Sequence, residues 1–597
     1  MSTDLHDKPA GSPPANFVNI TSKEDLIRQK LEQERLRLTR EMGIENNVRE
    51  QFLKPVERPF TKDQRAHTTL LFGGLTWKHE YLIHGALEGQ GYKCEAVPTP
   101  DVAAFQIGKE YGNNGQCNPT YFTVGNLVQY LQKLESDGMT RQEILDNYVF
   151  FTAGACGPCR FGMYEAEYRL ALRNSGFDEF RVMLFQQSGG LNQSEAEAGL
   201  DMNVDFFLAI LNAMNMGDLV TDVGYQMRPF EIEKGETDAA IAECMDYLHE
   251  VLKTHRNFTL EGKMGKFVKN LPIGGTAEYI GKFLDQLYGS EYTDALKSVG
   301  ERLARVRVDR TRVKPIVKIT GEFWAQTTEG DGNFNMFKFL EREGAQVLVE
   351  PIGTWIMYMI HQAKQKHQDR KGITDEEAMP AAWRLDKRIK NNLKVKKSTA
   401  QLTLAEAIFK REWNRLREAL NNIPHGLTDQ YELQRLGHPF YNSRAGGGEG
   451  HLEVAKNIYY SNKDMAHMVL SLKPFGCMPS TQSDGAQSAV VNLYKDMIYL
   501  PVETSGEGEI NAHSRVQMAL GEAKVKAKQE MARVLEETGL TIEQVREYAD
   551  EHPELESGLY NVPHTKGVIG SAANFVKHVS ELIKKDRRER VSTYAAD

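Results

Sequence analysis

Short apolar runs alternate with stretches whose apolar positions recur every three to four residues, and the two patterns trade places repeatedly between about residues 67 and 190. Runs at 68–72, 92–97, 148–151 and 181–185 read as strands, because a strand buried on both faces needs no polar alternation. Helical spacing follows each. A helix starts near Trp77. Asp101 caps another, which breaks at Gly112-Asn113-Asn114-Gly115. Pro119 takes the first helical position ahead of a stripe of Val124, Leu127, Val128, Leu131 and Leu134. Tyr164, Tyr168 and Leu172 make a further face that closes at Ser175-Gly176. Strand and helix in alternation predict a parallel, doubly wound sheet.

From about 194 to 310 the spacing is almost purely helical, and then the alternation resumes. Strands are predicted at 315–319 and 345–349 with a helix over 335–343 between them, and again at 468–472 and 497–501 around a helix carrying Ala486, Val490 and Leu493. The resulting fold class is α/β, two doubly wound parallel-sheet halves with helical insertions. The first half spans 61–193, a helical segment 194–312, and the second half 313–359 with 460–520. Residues 360–459 form a helical insertion that includes a Gly-rich loop, and 521–597 a C-terminal helical region. The insertion carries a basic stretch at 387–397, and a second basic run lies at 584–588; a solvated face accounts for such runs. The leader, 1–60, begins with about 20 residues rich in Ser, Pro, Asn and Asp that should be disordered. It continues as an amphipathic helix with Leu26, Ile27, Leu31 and Leu36, suited to docking on the body or on a partner.

Composition narrows the function classes. Of 597 residues 41% are hydrophobic and 26% charged, with a net charge of −9, which gives no electrostatic reason to expect nucleic acid or an anionic membrane as partner. The apolar runs read as too short to span a bilayer, and the N-terminus lacks the basic and apolar regions of a signal peptide, so a cytoplasmic protein is expected.

Six cysteines are too few for a disulfide scaffold. Cys94 falls in a predicted strand and Cys244 in a predicted helix, where a packed, inert thiol is the simpler reading. Cys117, Cys156, Cys159 and Cys477 share a different setting, beside Gly or Pro at turns that open helices. Helix N-termini offer free N–H groups and a positive dipole end, which stabilise thiolates or an anionic thiolate-bound cluster. Ligands of open parallel sheets collect beyond the carboxyl ends of the strands, so two halves facing each other could bring Cys477 to Cys117 and Cys159. Three or four thiolates there suit an iron–sulfur cluster. Zinc stays open, although structural zinc sites usually pair two close Cys-x-x-Cys knuckles and here there is one. A thioredoxin-like Cys-x-x-Cys would leave the two distant turn cysteines without a role. Weaker motifs accompany these. Ala445-Gly446-Gly447-Gly448-Glu449-Gly450-His451 reads as a phosphate cradle or as a mobile loop near the site, but no Gly-Lys-Ser/Thr follows, so it is not a P-loop. Gly73-Gly74-Leu75-Thr76 is similarly ambiguous. The sixteen histidines show no metal-ligand spacing that stands out, and no acid/base pair can be named from spacing.

Several of these segments resemble a known family. Asn113-Asn114-Gly115-Gln116-Cys117-Asn118-Pro119 resembles the Asn-Asn-x-x-Cys-x-Pro segment of proteins related to 2-hydroxyacyl-CoA dehydratases and their CoA-substrate-specific activases. Gly157-Pro158-Cys159-Arg160-Phe161-Gly162-Met163-Tyr164 resembles a signature of the large activase-associated proteins. Lys318-Ile319-Thr320-Gly321-Glu322-Phe323 with Glu350-Pro351, and Pro474-Phe475-Gly476-Cys477-Met478-Pro479, are similar to the second α/β half and third cysteine motif of the dehydratase subunits. The resemblance covers most of residues 67–520. It implies an oxygen-sensitive [4Fe–4S] protein with Cys117, Cys159 and Cys477 as ligands and Cys156 as a further metal-binding candidate. In the dehydratases one electron makes a ketyl radical of a 2-hydroxyacyl-CoA, which then loses water. The electron would come from a separate Fe–S ATPase activator dimer, since the ATPase domains fused in the large relatives have no counterpart here. The implied function is the iron–sulfur component of an ATP-dependent low-potential reductase or dehydratase, a lyase-like or reductase enzyme component with room for an acyl-CoA substrate and for oligomerisation. The alternatives are an electron-transfer or cluster-carrying protein without its own substrate, and a zinc-binding structural protein.

Overall fold

The structure, a computed structural model, describes residues 23–41, 58–154, 159–186, 198–259, 274–371 and 385–594. It divides into two compact units, Met1–Glu57 and Arg58–Asp597. The first contains the helix Lys23–Glu41, at the place the leader's apolar spacing predicts. The tract at 1–20 lies outside the described residues, as does Cys156.

Among the described residues of the second unit, eight strands form two four-stranded, all-parallel sheets. The first contains β1 (Thr69–Phe72), β2 (Cys94–Ala96), β3 (Tyr148–Gly154) and β4 (Arg181–Gln186), in the order β2-β1-β3-β4. The second contains β5 (Ile316–Gly321), β6 (Gln346–Leu348), β7 (Met468–Pro474) and β8 (Tyr499–Thr504), in the equivalent order β6-β5-β7-β8. In each sheet the first strand lies between the second and the third, so successive connections leave it in opposite directions. That reversal opens a crevice beyond the carboxyl ends of β1 and β3, and of β5 and β7. The α/β class with two parallel-sheet halves is therefore the observed one.

Two details depart from the sequence reading. Pro119 is the second residue of the helix Asn118–Ser136, because Cys117 itself occupies the N-cap. A short helix, Arg141–Asn147, precedes β3; Thr140 and Glu143 close a reciprocal capping box at its start.

The helix Val204–Met227 is the spine between the halves. Its apolar face joins a large core with the helices Trp77–Gly89, Glu236–Thr254 and Glu291–Leu303. Together with the following turn it is, among the described residues, the one stretch with the length and apolarity of a membrane-crossing helix, and 67% of its most apolar window is buried inside the protein. Length alone misses the reason it stays inside, which is a set of polar residues that take specific partners. Asp218 sits 3.1 Å from His79 Nε2 on the first-half side and accepts from the backbone N–H groups of Ile352 and Gly353, 2.9 Å each, on the second. Tyr225 donates to Glu329 at 2.8 Å, and Lys78 pairs with the same carboxylate at 2.8 Å. Aromatic packing adds to this join: Phe105, Tyr121 and Phe122 of the first half form one buried cluster with Trp324 of the second. Burying the indole there favours the join, offset in part by a buried Trp324 Nε1–H that has no hydrogen-bond partner among the described residues.

Cys94 and Cys244 are buried thiols, on β2 and on the helix Glu236–Thr254, packed in the large core. Their burial agrees with the packed setting read from the sequence.

Candidate metal centre

Cys117, Cys159 and Cys477 are each the N-cap of a helical segment. Cys117 opens Asn118–Ser136, Cys159 opens the 3₁₀ turn Arg160–Met163 that feeds the helix Tyr164–Asn174, and Cys477 opens Met478–Leu493. Cys159 follows β3 and Cys477 follows β7, so both lie beyond the carboxyl ends of strands that border the crevices.

The two halves meet at these turns. The Asn118 backbone N–H donates to Phe475 O at 3.1 Å, and the Asn118 side chain donates to Thr504 O at 2.7 Å. Gly476, at φ +77°, lies so close that a Cβ added to it would stand 3.3 Å from the Cys117 Cα. Gly448, at φ +79°, brings the Gly-rich loop onto the same place; a Cβ there would lie 2.4 Å from Pro479 Cγ and 3.4 Å from Cys159 Cβ. These contacts place the loop beside the cysteines. The family-like segment around Cys117 is held by Glu167, which accepts from Asn113 N at 3.1 Å and from the Gln116 side chain at 2.9 Å.

The thiols are not pre-formed thiolates. Burial pushes all three up, Cys159 to about 12, and the carboxyl of Glu322 opposes charge on each of them. Cys117 Sγ has local hydrogen-bond partners in Thr120 Oγ1 at 3.2 Å and Tyr164 Oη at 3.4 Å, but these do not offset its burial. The thiolate stabilisation expected from helix N-termini is thus outweighed by desolvation in the metal-free chain. A metal would have to displace the protons.

A group of acids that spacing could not reveal surrounds the cysteines. Glu322 follows β5 and caps the short helix Phe323–Thr327, accepting from Ala325 N at 3.0 Å. Its burial lifts the carboxyl to about 7, with Glu453 adding to the rise. Glu449, from the Gly-rich loop, accepts from Gln326 Nε2 at 2.8 Å and is pushed well above the carboxylate range by burial and by Glu322 and Glu453. Glu453 accepts from Ser480 at 2.7 Å and from Ser483, and faces Lys473 at 3.5 Å. The sequence signal for Glu322 was its place at the end of a strand, inside a segment already singled out.

Gly73-Gly74-Leu75-Thr76 has a different role. Glu80 accepts from the backbone N–H groups of Gly74 and Leu75 at 2.8 and 2.9 Å, so a side-chain carboxyl already occupies the donors that a phosphate would use. Among the described residues, one group of three potential metal ligands has all its ligand atoms within 4.8 Å of one another, and it is His84, Glu88 and His249. Cys117, Cys159 and Cys477 do not form so tight a group. A single zinc ion bound by three thiolates would hold their sulfurs about 3.8 Å apart, given Zn–S bonds near 2.3 Å.

Neither a protein-family model nor a curated protein matches the chain.

Proposed function

We propose that the chain is the iron–sulfur component of an ATP-dependent, low-potential reductase or dehydratase, with Cys117, Cys159 and Cys477 holding a [4Fe–4S] cluster. The observation that carries this reading is the placement of three N-cap cysteines from both sheets, Cys117 and Cys477 buried and Cys159 half-buried, each near enough to Glu322 for its carboxyl to oppose their charge. One feature of that setting suits an anionic centre: the free N–H groups of the segments that the cysteines open.

A bound cluster would supply one low-potential electron. The chain's own residues would do the rest. Tyr164 Oη, 3.4 Å from the Cys117 sulfur, is placed to donate to it, a contact that raises a cluster's potential. Burial lifts the Glu322 carboxyl to about 7, and burial with the facing Glu322 and Glu453 pushes Glu449 up as well. Loss of water from a 2-hydroxyacyl group needs a proton for the departing hydroxyl, and a carboxyl poised near 7 beside the cysteines suits that step. A carboxyl shifted to near neutral pH by burial, set beside the cysteines, is the setting of proton-transfer groups. This favours an enzyme component over a carrier without its own substrate. The Gly448 turn against Pro479 and Cys159 would help exclude water.

The electron would arrive from a separate Fe–S ATPase dimer in a reducing, cytoplasmic setting. The test is cluster reduction followed by EPR, with and without that activator and ATP, using a strong reductant throughout. Reduction is expected to need activator and ATP together. Equal rates in all arms would reject ATP-gated delivery and leave a stand-alone electron carrier.

A further inference from the structure

We propose that the crossing of the helices Trp77–Gly89 and Glu236–Thr254 is a second, independent metal site, in which His84 Nδ1, Glu88 Oε2 and His249 Nε2 bind one divalent ion of zinc type with water completing the tetrahedron. His84 and Glu88 are four residues apart and so share one helix face, while His249 comes from the facing helix. The backbones approach closely at this point. A Cβ on Gly85 would stand 2.7 Å from His249 O, and one on Gly89 2.6 Å from Leu252 O.

The spacing of the ligand atoms is that of a tetrahedral ion. Zn–N and Zn–O bonds of 2.0–2.2 Å separate ligand atoms by about 3.3–3.5 Å. Here His84 Nδ1 lies 3.0 Å from His249 Nε2, and Glu88 Oε2 lies 3.6 Å from the first and 3.7 Å from the second. The outer contacts set the tautomers. His84 Nε2 lies 3.1 Å from Cys94 O, which can only accept, so Nε2 carries the proton and Nδ1 presents its lone pair. His249 Nδ1 lies 3.5 Å from Glu250 Oε1, and with His84 Nδ1 accepting, the 3.0 Å contact between the rings is a hydrogen bond donated by His249 Nε2–H. Such partners on the far ring nitrogen are the usual support of a metal-binding histidine. A metal ion would take the place of that shared proton, which binding would release.

Glu88 Oε2 is buried and makes no hydrogen bond. Lys253 Nζ lies 3.2 Å from it but outside hydrogen-bonding geometry, on a side chain 43% exposed, and so forms a weak pair that a metal can displace. His249 is buried and stacked on Tyr81, with ring centroids 4.6 Å apart, whereas His84 and Glu88 are part-exposed, which leaves a side open for the ion and its water. Two imidazoles and a carboxylate suit zinc, and cobalt(II) reports on such a site spectroscopically.

The test is titration of the chelator-treated, full-length protein with Co²⁺, followed by displacement with Zn²⁺. One equivalent should give visible d–d bands without thiolate charge transfer, which separates this site from the cysteines and makes its outcome independent of theirs. Partners one shell further out already change metal affinity 10–100-fold, so His84→Ala and Glu88→Gln, each with unchanged circular dichroism, should weaken binding by more than about 100-fold. Lys253→Ala, which removes the competing cation, should tighten it. Absence of such bands, or equal affinity in wild type and both ligand variants, would overturn the proposal.

Discussion

Cys477→Ser, expressed and purified without oxygen, is expected to lose most of its iron or to carry a converted cluster, while Cys94→Ala and Cys244→Ala keep the wild-type content. Cys477 is contributed by the second sheet, and Cys117 and Cys159 by the first. Its loss therefore asks whether both halves build the centre. Serine keeps the side-chain volume nearly unchanged, and Asn118 still ties the turns together through Phe475 and Thr504, so the fold should survive. Cys94 and Cys244 are buried in the large core away from these turns, and trimming them to Ala should cost about 1 kcal/mol. Full iron retention in Cys477→Ser would show that the second half contributes no ligand.

Glu350→Gln is expected to be the most destabilising single change, by about 3–5 kcal/mol, because it strips the counter-ion from buried cations. Lys318, on the central strand β5, is fully buried and lies 2.6 Å from Glu350, and Lys456 lies 3.9 Å from the same carboxylate. Thr428 and Tyr460 donate to it at 2.9 and 3.0 Å. Burial opposes charge on Glu350, but the two ammonium groups overcome it and hold the carboxyl well below its ordinary 4.5. Lys318 is itself drawn down, to about 8, because its own burial and the nearby Lys456 outweigh the single carboxylate. The two shifts point in opposite senses as to how well the pair holds its charge. The carboxylate's governs acid behaviour, since Glu350 is the group that protonates there. A carboxyl depressed in the folded state contributes stability that is complete above its unfolded value, near 4.5, and drains away as pH falls through the lower folded value. Wild type should therefore lose stability below about pH 4.5 faster than Glu350→Gln does. Lys318→Met combined with Glu350→Gln should recover much of the neutral-pH loss, because the most buried unpaired charge is then gone. Urea midpoints across pH read all three.

Lys318 and Glu350 lie in separate segments that the sequence singled out, and the structure joins them in one buried ion pair. A lysine inside an apolar strand contradicts the local pattern until a carboxylate from the next strand-end answers it. Strands such as β3 and β7 were legible because buried parallel strands write themselves as short apolar runs. The helix Arg141–Asn147 carried its own signal in Thr140 and Glu143, a capping box that apolar spacing passes over. Cys117, Cys159 and Cys477 were legible as helix-opening turn cysteines. Glu449 and Glu453 were not, since their meaning comes from packing against Gln326, Ser480 and Lys473, far away along the chain. The i, i+4 pair His84 and Glu88 was visible in principle. A two-residue spacing is common on any surface helix, however, and it gains weight only when His249 arrives from another helix. The burial of the thiols was not legible for the same reason. N-cap position is a local property, whereas the burial that raises Cys117, Cys159 and Cys477 is a tertiary one.

The most direct test of the cluster reading is iron and acid-labile sulfide per chain in protein reconstituted without oxygen, with EPR of the dithionite-reduced sample. Four irons and four sulfides per chain, visible absorption bleached by air or dithionite, and a reduced-cluster EPR signal are the predicted result. Stoichiometric zinc at the cysteines, with neither iron nor sulfide, would contradict it.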